Sequence, residues 1–435
     1  MKNVKTDCLI MGNSTAAIAA VEGIRSLDGK SSITIASRER RRAYSRPLIS
    51  ALLSGGMDGE KMYYRSEEFY ADHNVRLKLG AEIVRVDAQK HLAWTAGNGA
   101  IEFGKFLIAS GSRPFIPPIE GVKARGIFTH MDWDGAQAAA DYIADNNING
   151  REKSRAVVIG GGLIGLKAAE ALRRRGLNVV VVEMAERLLA SCLNARAAGI
   201  IGETMEAAGV EIMCGETMER ILEKDGAADG VRLKKGGEIP ARLVLIAAGA
   251  VPNVDIFRET EMKIDRGILI DEYCRASVPD IYAAGDAAQY RDTISGRSCV
   301  IPIFANAFSQ GRTAGINMAG GRAAIMHNFA MNSAEIFGLP LVALGLSAAA
   351  PANAEVLEKT GRNERAYKRF VLDNNRIVGA IFAGDIDRAG IIAGIMRRKL
   401  DIGGIRDLLL TNEFGLLSLP AEYRKCVAAG EGIEV

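Results

Sequence analysis

The sequence predicts an α/β protein with two Rossmann-like dinucleotide-binding domains, one inserted into the other, and a smaller α+β domain at its C-terminal end. Two observations predict the paired domains. A short apolar run, a glycine-containing turn and an alanine-rich segment follow one another at residues 8–17 and again at residues 156–165. This order is typical of a strand and a helix whose N-terminus binds a pyrophosphate. A third observation is the change of pattern after about residue 328, where the βαβ order ends.

The first unit is predicted as a buried strand, a helix and a second strand, at residues 6–11, 15–27 and 32–37. In its loop, Gly12 stands at the first glycine position of a dinucleotide-binding turn, but Ser14 and Ala17 replace the second and third glycines. Ser14 adds a hydroxymethyl group where the backbone should approach a phosphate. Taken alone, this loop is consistent with a dinucleotide site and also with an ordinary strand–helix turn.

The second unit carries the complete glycine motif. Gly160, Gly162 and Gly165 are in register, and the next strand ends in Glu183. A carboxylate at this position can accept both ribose hydroxyls; a solvated glutamate at a strand end is the alternative. No basic cluster follows Glu183, so NAD is favoured over NADP. The predicted nucleotide contacts of this unit are Gly160, Gly162, Leu163, Ile164, Gly165, Glu183 and Gly249.

Two strand-like runs that each end in a glycine turn indicate the domain organisation. They lie at residues 106–111 and 243–249, and residues 280–286 resume the first pattern afterwards. The second nucleotide unit is therefore predicted to be an insertion in the first. The predicted domains are residues 1–120 and 250–327 for the two parts of the first nucleotide domain, 121–249 for the inserted domain and 328–435 for the C-terminal domain.

The C-terminal domain is predicted from a hairpin pattern. Strand-like residues 369–372 and 377–382 flank a turn at Asn374 and Asn375, which is a hairpin signal. A helix is expected near residues 387–398. A further helix is expected near residues 133–146, after a proline-rich joint.

Composition limits the classes of function. The formal net charge of the 435 residues is +3, so charge indicates no nucleic-acid partner. The chain lacks the apolar run that a membrane span needs. Its six cysteines are scattered without a CxxC pair or a metal-type cluster, so no metal site is predicted. Unpaired cysteines in a chain of this length favour the reducing cytoplasm as its location.

Taken together and in order, these motifs resemble the FAD-dependent pyridine nucleotide-disulfide oxidoreductase superfamily. The resemblance is to proteins of the NADH:rubredoxin oxidoreductase and nitrite reductase flavin-domain type, and to FAD subunits of multi-subunit aldehyde or 2-oxoacid oxidoreductases. The segments that carry it are Gly12–Ser14, Tyr44–Leu48, Ala109–Pro114, Gly160–Gly165, Ala248-Gly249 with Pro252-Asn253, and Ala284–Asp286.

The resemblance implies FAD in the split first domain, NAD(H) in the inserted domain and an interface-type C-terminal domain. It implies that Asp286 binds the ribityl chain of FAD; a helix N-cap is the alternative role. Glu39 is the candidate ribose partner in the first unit, or else one acid within an arginine-rich surface loop. The implied FAD contacts are Gly12, Ser14, Ala16, Glu39, Arg46, Pro47, Ala109, Ser110, Gly111, Arg113, Asp286 and Ala287.

The chain departs from this family in two respects. Residues 46–53, where the disulfide reductases carry their redox cysteines, contain no sulfur, and no histidine follows His327. Chemistry through a cysteine is therefore disfavoured. Lys167 stands where relatives commonly have Glu, and Ala51 where ferredoxin-reductase relatives have Lys. The resemblance implies that Lys167 lies beside the flavin and contacts its N5 atom; a solvated lysine and a phosphate clamp are the alternatives.

The sequence thus predicts an FAD-dependent oxidoreductase that moves electrons between NAD(H) and an iron–sulfur or rubredoxin-like partner. The flavin subunit of a larger redox complex, such as an aldehyde or 2-oxoacid oxidoreductase, is the expected setting, so an oligomer or complex is expected. A freestanding NADH oxidase or NADH:rubredoxin reductase is one alternative. A structural subunit that retains the fold without FAD is another, suggested by Ser14.

Overall fold

A computed structural model describes residues 4–97, 99–148, 155–361 and 364–428, with the backbone alone for residues 425–428. The chain divides into two compact units. The first unit comprises Met1–Leu52, Gly56–Pro114 and Ala250–Asn328, and the second comprises Leu53–Gly55, Phe115–Gly249 and Phe329–Val435.

The strands, in chain order, are β1 (Val4–Met11), β2 (Ile33–Ser37), β3 (Val75–Leu79), β4 (Ile83–Asp87), β5 (Leu92–Thr95), β6 (Ala100–Ile108), β7 (Ser112–Pro114), β8 (Ile127–Thr129), β9 (Arg155–Ile159), β10 (Asn178–Glu183), β11 (Val210–Cys214), β12 (Met218–Lys224), β13 (Ala227–Leu233), β14 (Glu238–Pro240), β15 (Leu243–Ile246), β16 (Ala250–Pro252), β17 (Ile268–Leu269), β18 (Ile281–Ala283), β19 (Ala288–Arg291), β20 (Ser298–Cys299), β21 (Met331–Ile336), β22 (Leu339–Gly345), β23 (Glu355–Thr360), β24 (Tyr367–Asp373) and β25 (Arg376–Ala383). The α-helices are α1 (Thr15–Arg25), α2 (Ile49–Ser54), α3 (Phe69–Asp72), α4 (Trp133–Asp145), α5 (Leu163–Arg174), α6 (Ala195–Ala207), α7 (Phe304–Met318), α8 (Ala389–Arg397) and α9 (Ala421–Ala428).

The first unit is built on a sheet with the strand order β3-β2-β1-β6-β5-β4, and β18 also pairs with β6. Strands β3, β2, β1, β6 and β18 run parallel, which is the Rossmann-like part. Both faces of β1 are covered, because Ile10 packs in one apolar cluster and Leu9 in another, each with no exposed surface. This two-sided burial explains why the second half of β1, Cys8–Met11, is a continuous apolar run.

Helix α1 packs against helix α7 with unusually little separation. A Cβ on Gly311 would lie closer than 3.0 Å to the backbone of Ala16, and one on Gly315 equally close to Ala20. Small residues on both helices allow this approach. The contact holds the N-terminal turn of α1, and with it the first glycine loop, to the segment that follows β18.

The second unit contains a parallel sheet of order β11-β10-β9-β15-β8 and the small antiparallel sheet β12-β13-β14. Its core includes the buried strand residues Val157, Val180 and Val244. The same unit holds an antiparallel sheet of order β21-β22-β25-β24-β23. The turn between β24 and β25 places Asn374 and Asn375 at φ of +48° and +58°, which confirms the predicted hairpin.

The predicted fold class is confirmed: parallel Rossmann-like sheets and a C-terminal antiparallel sheet are present. Boundaries differ by one or two residues. The first helix ends at Arg25 rather than residue 27, because the N–H groups of Ser26 and Leu27 close the last turn on Glu22 and Ile24. The four domain ranges stay a prediction. In the described part of the chain, no helix combines the length and the apolarity needed to cross a bilayer.

Candidate functional site

The first glycine loop has the backbone of a dinucleotide-binding turn. Gly12 has a φ of +104°, and a Cβ on it would lie closer than 3.0 Å to Ala109 O, so only glycine fits there. Ser14 precedes α1 in an extended conformation and makes no side-chain capping hydrogen bond. Ala16 is buried in the first turn. The N–H groups at the start of α1 are therefore not capped by Ser14, and such groups attract anions.

A hydrogen-bonded network fixes the arginine-rich loop, residues 38–46, next to this turn. Asn13 Oδ1 accepts from the Tyr70 hydroxyl at 3.0 Å, and the Ala43 N–H group donates to the same phenol oxygen at 3.1 Å. Tyr70 is buried. Sequence reasoning missed Tyr70, because its partners are distant in the chain and no local pattern indicates them.

Two of the predicted FAD contacts meet within that loop. Arg46 donates to the Glu39 carboxylate as an ion pair, and both side chains are about one-third exposed. The Arg46 guanidinium lies 5.3 Å from the Tyr44 ring centroid. Pro47 occupies the first turn of a short 3₁₀ helix, Arg46–Leu48. The structure therefore brings Glu39 and Arg46 together as one charged pair, a contact that the sequence did not predict.

The turn after β6 is bound to the chain where it re-enters the first unit. Ser110 Oγ donates to Asn253 O at 2.8 Å, and Asn253 Nδ2 donates to Ser110 O at 2.9 Å. Gly111 O accepts from the Asn253 N–H group. Arg113 forms an ion pair with Asp255 at 2.8 Å. Ser110 and Arg113 thus join the turn after β6 to the residues that follow β16, all within the first unit.

Asp286 lies close to this turn within the first unit. Ser112 Oγ donates to Asp286 Oδ2 at 2.6 Å. Asp286 belongs to a short 3₁₀ helix, Gly285–Ala287, whose N-cap is Ala284, so the helix N-cap role considered for Asp286 is not the one observed. Ala287 is fully buried. The Gly285 N–H group donates to Oε1 of the buried Gln310 in α7 at 2.9 Å, a contact that the sequence did not predict.

Each of the three glycines of the second loop is explained by a different physical requirement. Gly160 has a φ of +114° and no room for a Cβ beside Ala247 O. A Cβ on Gly165 would collide with Gly160 O. Gly162 is the N-cap of α5 with a φ of −81°, and nothing lies within 4 Å of the place where its Cβ would be. Neither backbone nor packing requires glycine at position 162, but a phosphate group close to the backbone would.

Glu183 ends β10 beside this loop. Its carboxylate accepts from the Gly161 N–H group and, at 2.6 Å, from the Ala185 N–H group, so the side chain is oriented toward the glycine turn. Leu163 and Ile164 form the first turn of α5, and the Ile164 side chain is 39% exposed. The remaining predicted contact of this unit is Gly249, whose carbonyl accepts from the Phe115 N–H group at 2.9 Å.

Lys167 is held within the second unit by specific partners. Its Nζ donates to Glu170 Oε2 and, at 2.9 Å, to Glu335 O of β21. The Glu170 side chain is only 3% exposed and also accepts from Arg174 at 2.7 Å. Sequence reasoning missed Glu170, although its spacing from Lys167 and Arg174 on one helix suits such pairs. The contact of Lys167 with flavin N5 stays a prediction.

The cysteines that the structure describes are free thiols: Cys8, Cys192, Cys214, Cys274 and Cys299. Burial raises the pKa of Cys8 and of Cys192 to about 11. The side chain of Cys426 lies outside the described residues. Among those residues, no group of His, Cys, Asp and Glu side chains is arranged to hold a metal ion.

Comparison with known proteins gives consistent matches along the chain. The family described as "Pyridine nucleotide-disulphide oxidoreductase" matches residues 6–311, and the one described as "Rubredoxin NAD+ reductase C-terminal domain" matches residues 331–400. The NADH-dependent phenylglyoxylate dehydrogenase subunit epsilon of Aromatoleum evansii is 30% identical over 413 residues, which cover 94% of this chain and 95% of that protein.

Two further relatives show how the likeness is distributed. The nitrite reductase [NAD(P)H] of Bacillus subtilis strain 168 is 27% identical over 403 residues, 92% of this chain but 48% of that protein. The crystal structure of the ferredoxin reductase for the CYP199A2 system from Rhodopseudomonas palustris has a TM-score of 0.83 at 23% identity, and the match covers 91% of this chain and 95% of that one. At this identity the structural likeness establishes the fold alone.

Proposed function

The chain belongs to the pyridine nucleotide-disulphide oxidoreductase family, whose match covers more than half of its length, and we propose that it is the flavin subunit of a redox complex. Family membership makes it an NAD(P)H-dependent flavoprotein oxidoreductase and confirms the resemblance found in the sequence. In the proposed function, electrons pass between NAD(H) and a one-electron iron–sulfur or rubredoxin-like partner, and the complex acts on a 2-oxoacid or an aldehyde.

The observation that carries this proposal is the likeness to the phenylglyoxylate dehydrogenase subunit. It extends over 95% of that subunit, whereas only about half of the nitrite reductase is matched. The printed name of the subunit gives NADH as the coenzyme, and phenylglyoxylate is a 2-oxoacid. A chain similar to it over nearly its whole length is best explained as a subunit of the same kind.

The residues of the first unit fit FAD. Gly12 permits the tight turn against Ala109 that leads into α1, where Ser14 provides no side-chain cap. The Ser112–Asp286 pair presents a carboxylate beside the β6 turn. We assign FAD to residues 1–120 and 250–327, with the pyrophosphate at α1. Bound FAD would supply the exchange between a hydride and single electrons, and the protein would supply binding and orientation.

The residues of the second unit fit NAD(H). The open space at Gly162 and the N-terminus of α5 suit a pyrophosphate. Glu183, held by two backbone N–H groups, presents its remaining lone pairs as acceptors for ribose hydroxyls. We assign NAD(H) to residues 121–249 and an interface role to residues 328–435. Loss of the Glu183 contact should cost about 1.5–3 kcal/mol of NADH binding.

The absence of a cysteine from residues 46–53 favours electron transfer over disulfide reduction. The cysteines at positions 8 and 192 are buried, and their raised pKa values keep them as thiols near neutral pH. In the proposed mechanism these side chains are packing residues. Bound FAD would supply the electron transfer to the partner protein, and neither of these two thiols would take part in it.

The test uses the purified full chain reconstituted with FAD. We expect one FAD per chain, bleaching of the flavin by NADH without oxygen, and fast reoxidation by a low-potential ferredoxin or by rubredoxin. Isolation of the native protein should also recover subunits that contain iron–sulfur clusters. Reoxidation by oxygen at full turnover and by neither protein would support a freestanding NADH oxidase instead. A well-folded chain that cannot be loaded with FAD would support the structural-subunit alternative.

A further inference from the structure

The carboxyl ends of β10 and β11 form one edge of the parallel sheet in the second unit. Glu183 and Cys214 are register partners at this edge. The turn after β10 is bound to the end of β11, because the Gly215 N–H group donates to Ala185 O at 2.8 Å. This turn brings a second acid, Glu186, to the same edge. A Cβ on Gly215 would lie 3.1 and 3.3 Å from the two carboxylate oxygens of Glu186.

The electrostatics of this edge are negative. Burial raises the pKa of the Cys214 thiol, and the charges of Glu183 and Glu186 raise it further, so both carboxylates are close enough to act on this side chain. The neighbouring Glu216 is engaged elsewhere, since its carboxylate accepts from the N–H groups of Thr217 and Lys235.

Among the residues that the structure describes, Glu186 forms no ion pair with a cation. Arg187, the next residue, uses its Nε to donate to Leu193 O at 3.1 Å. Met184 is 76% exposed and apolar. Glu186 itself is exposed, whereas Glu183 is half-buried and fixed by backbone N–H groups. The two acids therefore differ in what they can do: Glu183 is oriented to accept hydrogen bonds from a ligand, and Glu186 is a solvent-exposed negative charge at the same sheet edge.

We propose that Glu186 is a second specificity-determining acid, which excludes the 2′-phosphate of NADPH by charge, while Glu183 binds the ribose hydroxyls. The proposal rests on the proposed function, in which the second unit binds NAD(H). A 2′-phosphate carries close to two negative charges and would lie where the ribose meets the strand ends. Repulsion through water from one exposed carboxylate should change the affinity on the order of tenfold at low salt.

Electrostatic exclusion and steric exclusion of the 2′-phosphate respond differently to salt. Repulsion by an exposed carboxylate is screened by salt, because the Debye length falls from about 10 Å at 0.1 M to about 3 Å at 1 M. Steric exclusion is not screened. The effect of Glu186 should therefore shrink at high salt, while the hydrogen bonds of Glu183 to the ribose hydroxyls should persist.

The experiment measures binding of two nucleotide fragments to the full chain by calorimetry. ADP-ribose has a free 2′-hydroxyl on its adenosine ribose, whereas 2′,5′-ADP carries a phosphate at that position. Binding of either fragment does not depend on the flavin or on turnover. The variants are Glu186→Gln, Glu183→Gln and, as a matched control, Glu203→Gln, which removes an exposed acid in the middle of α6. Each is measured at low salt and at high salt.

We expect Glu186→Gln to tighten 2′,5′-ADP binding about tenfold at low salt, with little gain at high salt and no change for ADP-ribose. Glu183→Gln should weaken ADP-ribose, and Glu203→Gln should match the parent. The proposal is overturned if Glu186→Gln leaves 2′,5′-ADP binding unchanged, if its gain ignores salt, or if it weakens ADP-ribose as Glu183→Gln does. A parent chain that binds neither ADP-ribose nor NADH would instead overturn the proposed function.

Discussion

The two glycine loops of this chain begin with the same backbone. The N–H group of Gly12 donates to Ala36 O and that of Gly160 to Val182 O, each at 2.8 Å. Both glycines have a positive φ, and a Cβ on either would collide with a carbonyl of the neighbouring segment. The first glycine is thus fixed by the strand–turn–helix geometry itself, in both units.

The loops differ at the third glycine position. Gly165 permits α5 to approach Gly160 O, where a Cβ would not fit. In the first loop Ala17 carries a Cβ there and is fully buried. The close backbone approach of the first unit occurs instead between two helices, where Gly311 lies against Ala16. Close packing thus depends on Gly165, inside the motif, in the second unit and on Gly311, outside the motif, in the first unit.

The two candidate sites therefore depend on different parts of the chain. The second loop holds its glycines and its acid within one short stretch that ends at Glu183. The first loop depends on distant segments: Tyr70 binds Asn13, and Ser112 binds Asp286. Substitutions within the loop should therefore affect the second site most, and substitutions outside it should affect the first site most.

The largest expected effect is on stability at the third position. Gly165→Ala should destabilise the second unit by about 3 kcal/mol, because its Cβ meets a backbone oxygen that cannot move aside. The matched reverse change, Ala17→Gly, should cost only about 1 kcal/mol, mainly through helix propensity. Scanning calorimetry of the two variants measures the shift in melting temperature. Equal shifts would mean that the two loops pack alike, contrary to the structure.

The next effect concerns FAD retention in the first unit. Asp286→Ala should weaken FAD binding by about 1.5–3 kcal/mol, since it removes a charged hydrogen-bonding group next to Ser112. Glu261→Ala is the control. It removes an exposed acid of the same unit that is not among the predicted FAD contacts and whose carboxylate accepts from the Gln89 side-chain amide at 2.7 Å, so it should change FAD binding by about 0.5 kcal/mol or less. Fluorescence titration of the apoprotein with FAD measures both, and similar losses would contradict the role given to Asp286.

Sequence reasoning recovered the features that are local. The Gly160–Gly165 motif, Glu183 and the Asn374-Asn375 hairpin are each read from one short stretch, because strand, turn and helix signals occur there in order. It did not find Tyr70, the contact of Gln310 with Gly285 or the contact of Lys167 with Glu335. These contacts join residues far apart in the sequence, and only the folded chain decides which of many polar side chains meet.

A smaller effect is expected at the second glycine position, on binding rather than stability. Gly162→Ala should leave the melting temperature within about 1 °C of the parent, since its Cβ points into open space. It should weaken NADH about tenfold, because the added methyl group lies where the pyrophosphate should approach. Ser14→Gly is the counterpart in the first loop. It should strengthen FAD binding by less than about tenfold. A stable Gly162→Ala variant with parental NADH affinity would remove the case for a phosphate there.

The smallest effect is expected at Lys167, and it compares the helices that follow the two loops. The residue two positions after the third motif position is Ala19 in α1 and Lys167 in α5. Ala19 is buried, whereas Lys167 is an ammonium group whose charge is balanced by the buried Glu170. If the flavin lies beside Lys167 as the resemblance implies, removing the lysine should change the electric field at the flavin only slightly, because the charge balance exists within the second unit.

Lys167→Met should therefore lower the two-electron midpoint potential of the flavin by no more than about 30 mV, which corresponds to about 1.4 kcal/mol. Glu170→Gln leaves the cations of Lys167 and Arg174 without their shared carboxylate and should shift the potential upward. Lys167→Glu places a second carboxylate beside Glu170 and should give the largest downward shift of the three.

Spectroelectrochemical titration measures the potentials, and stopped-flow mixing with NADH measures the rate of flavin reduction. If all three variants match the parent in both measurements, Lys167 only joins α5 to β21. If Lys167→Met alone shifts the potential by far more than 30 mV while Glu170→Gln does not, the ammonium group acts on the flavin directly, and the balance seen with Glu170 does not govern its effect.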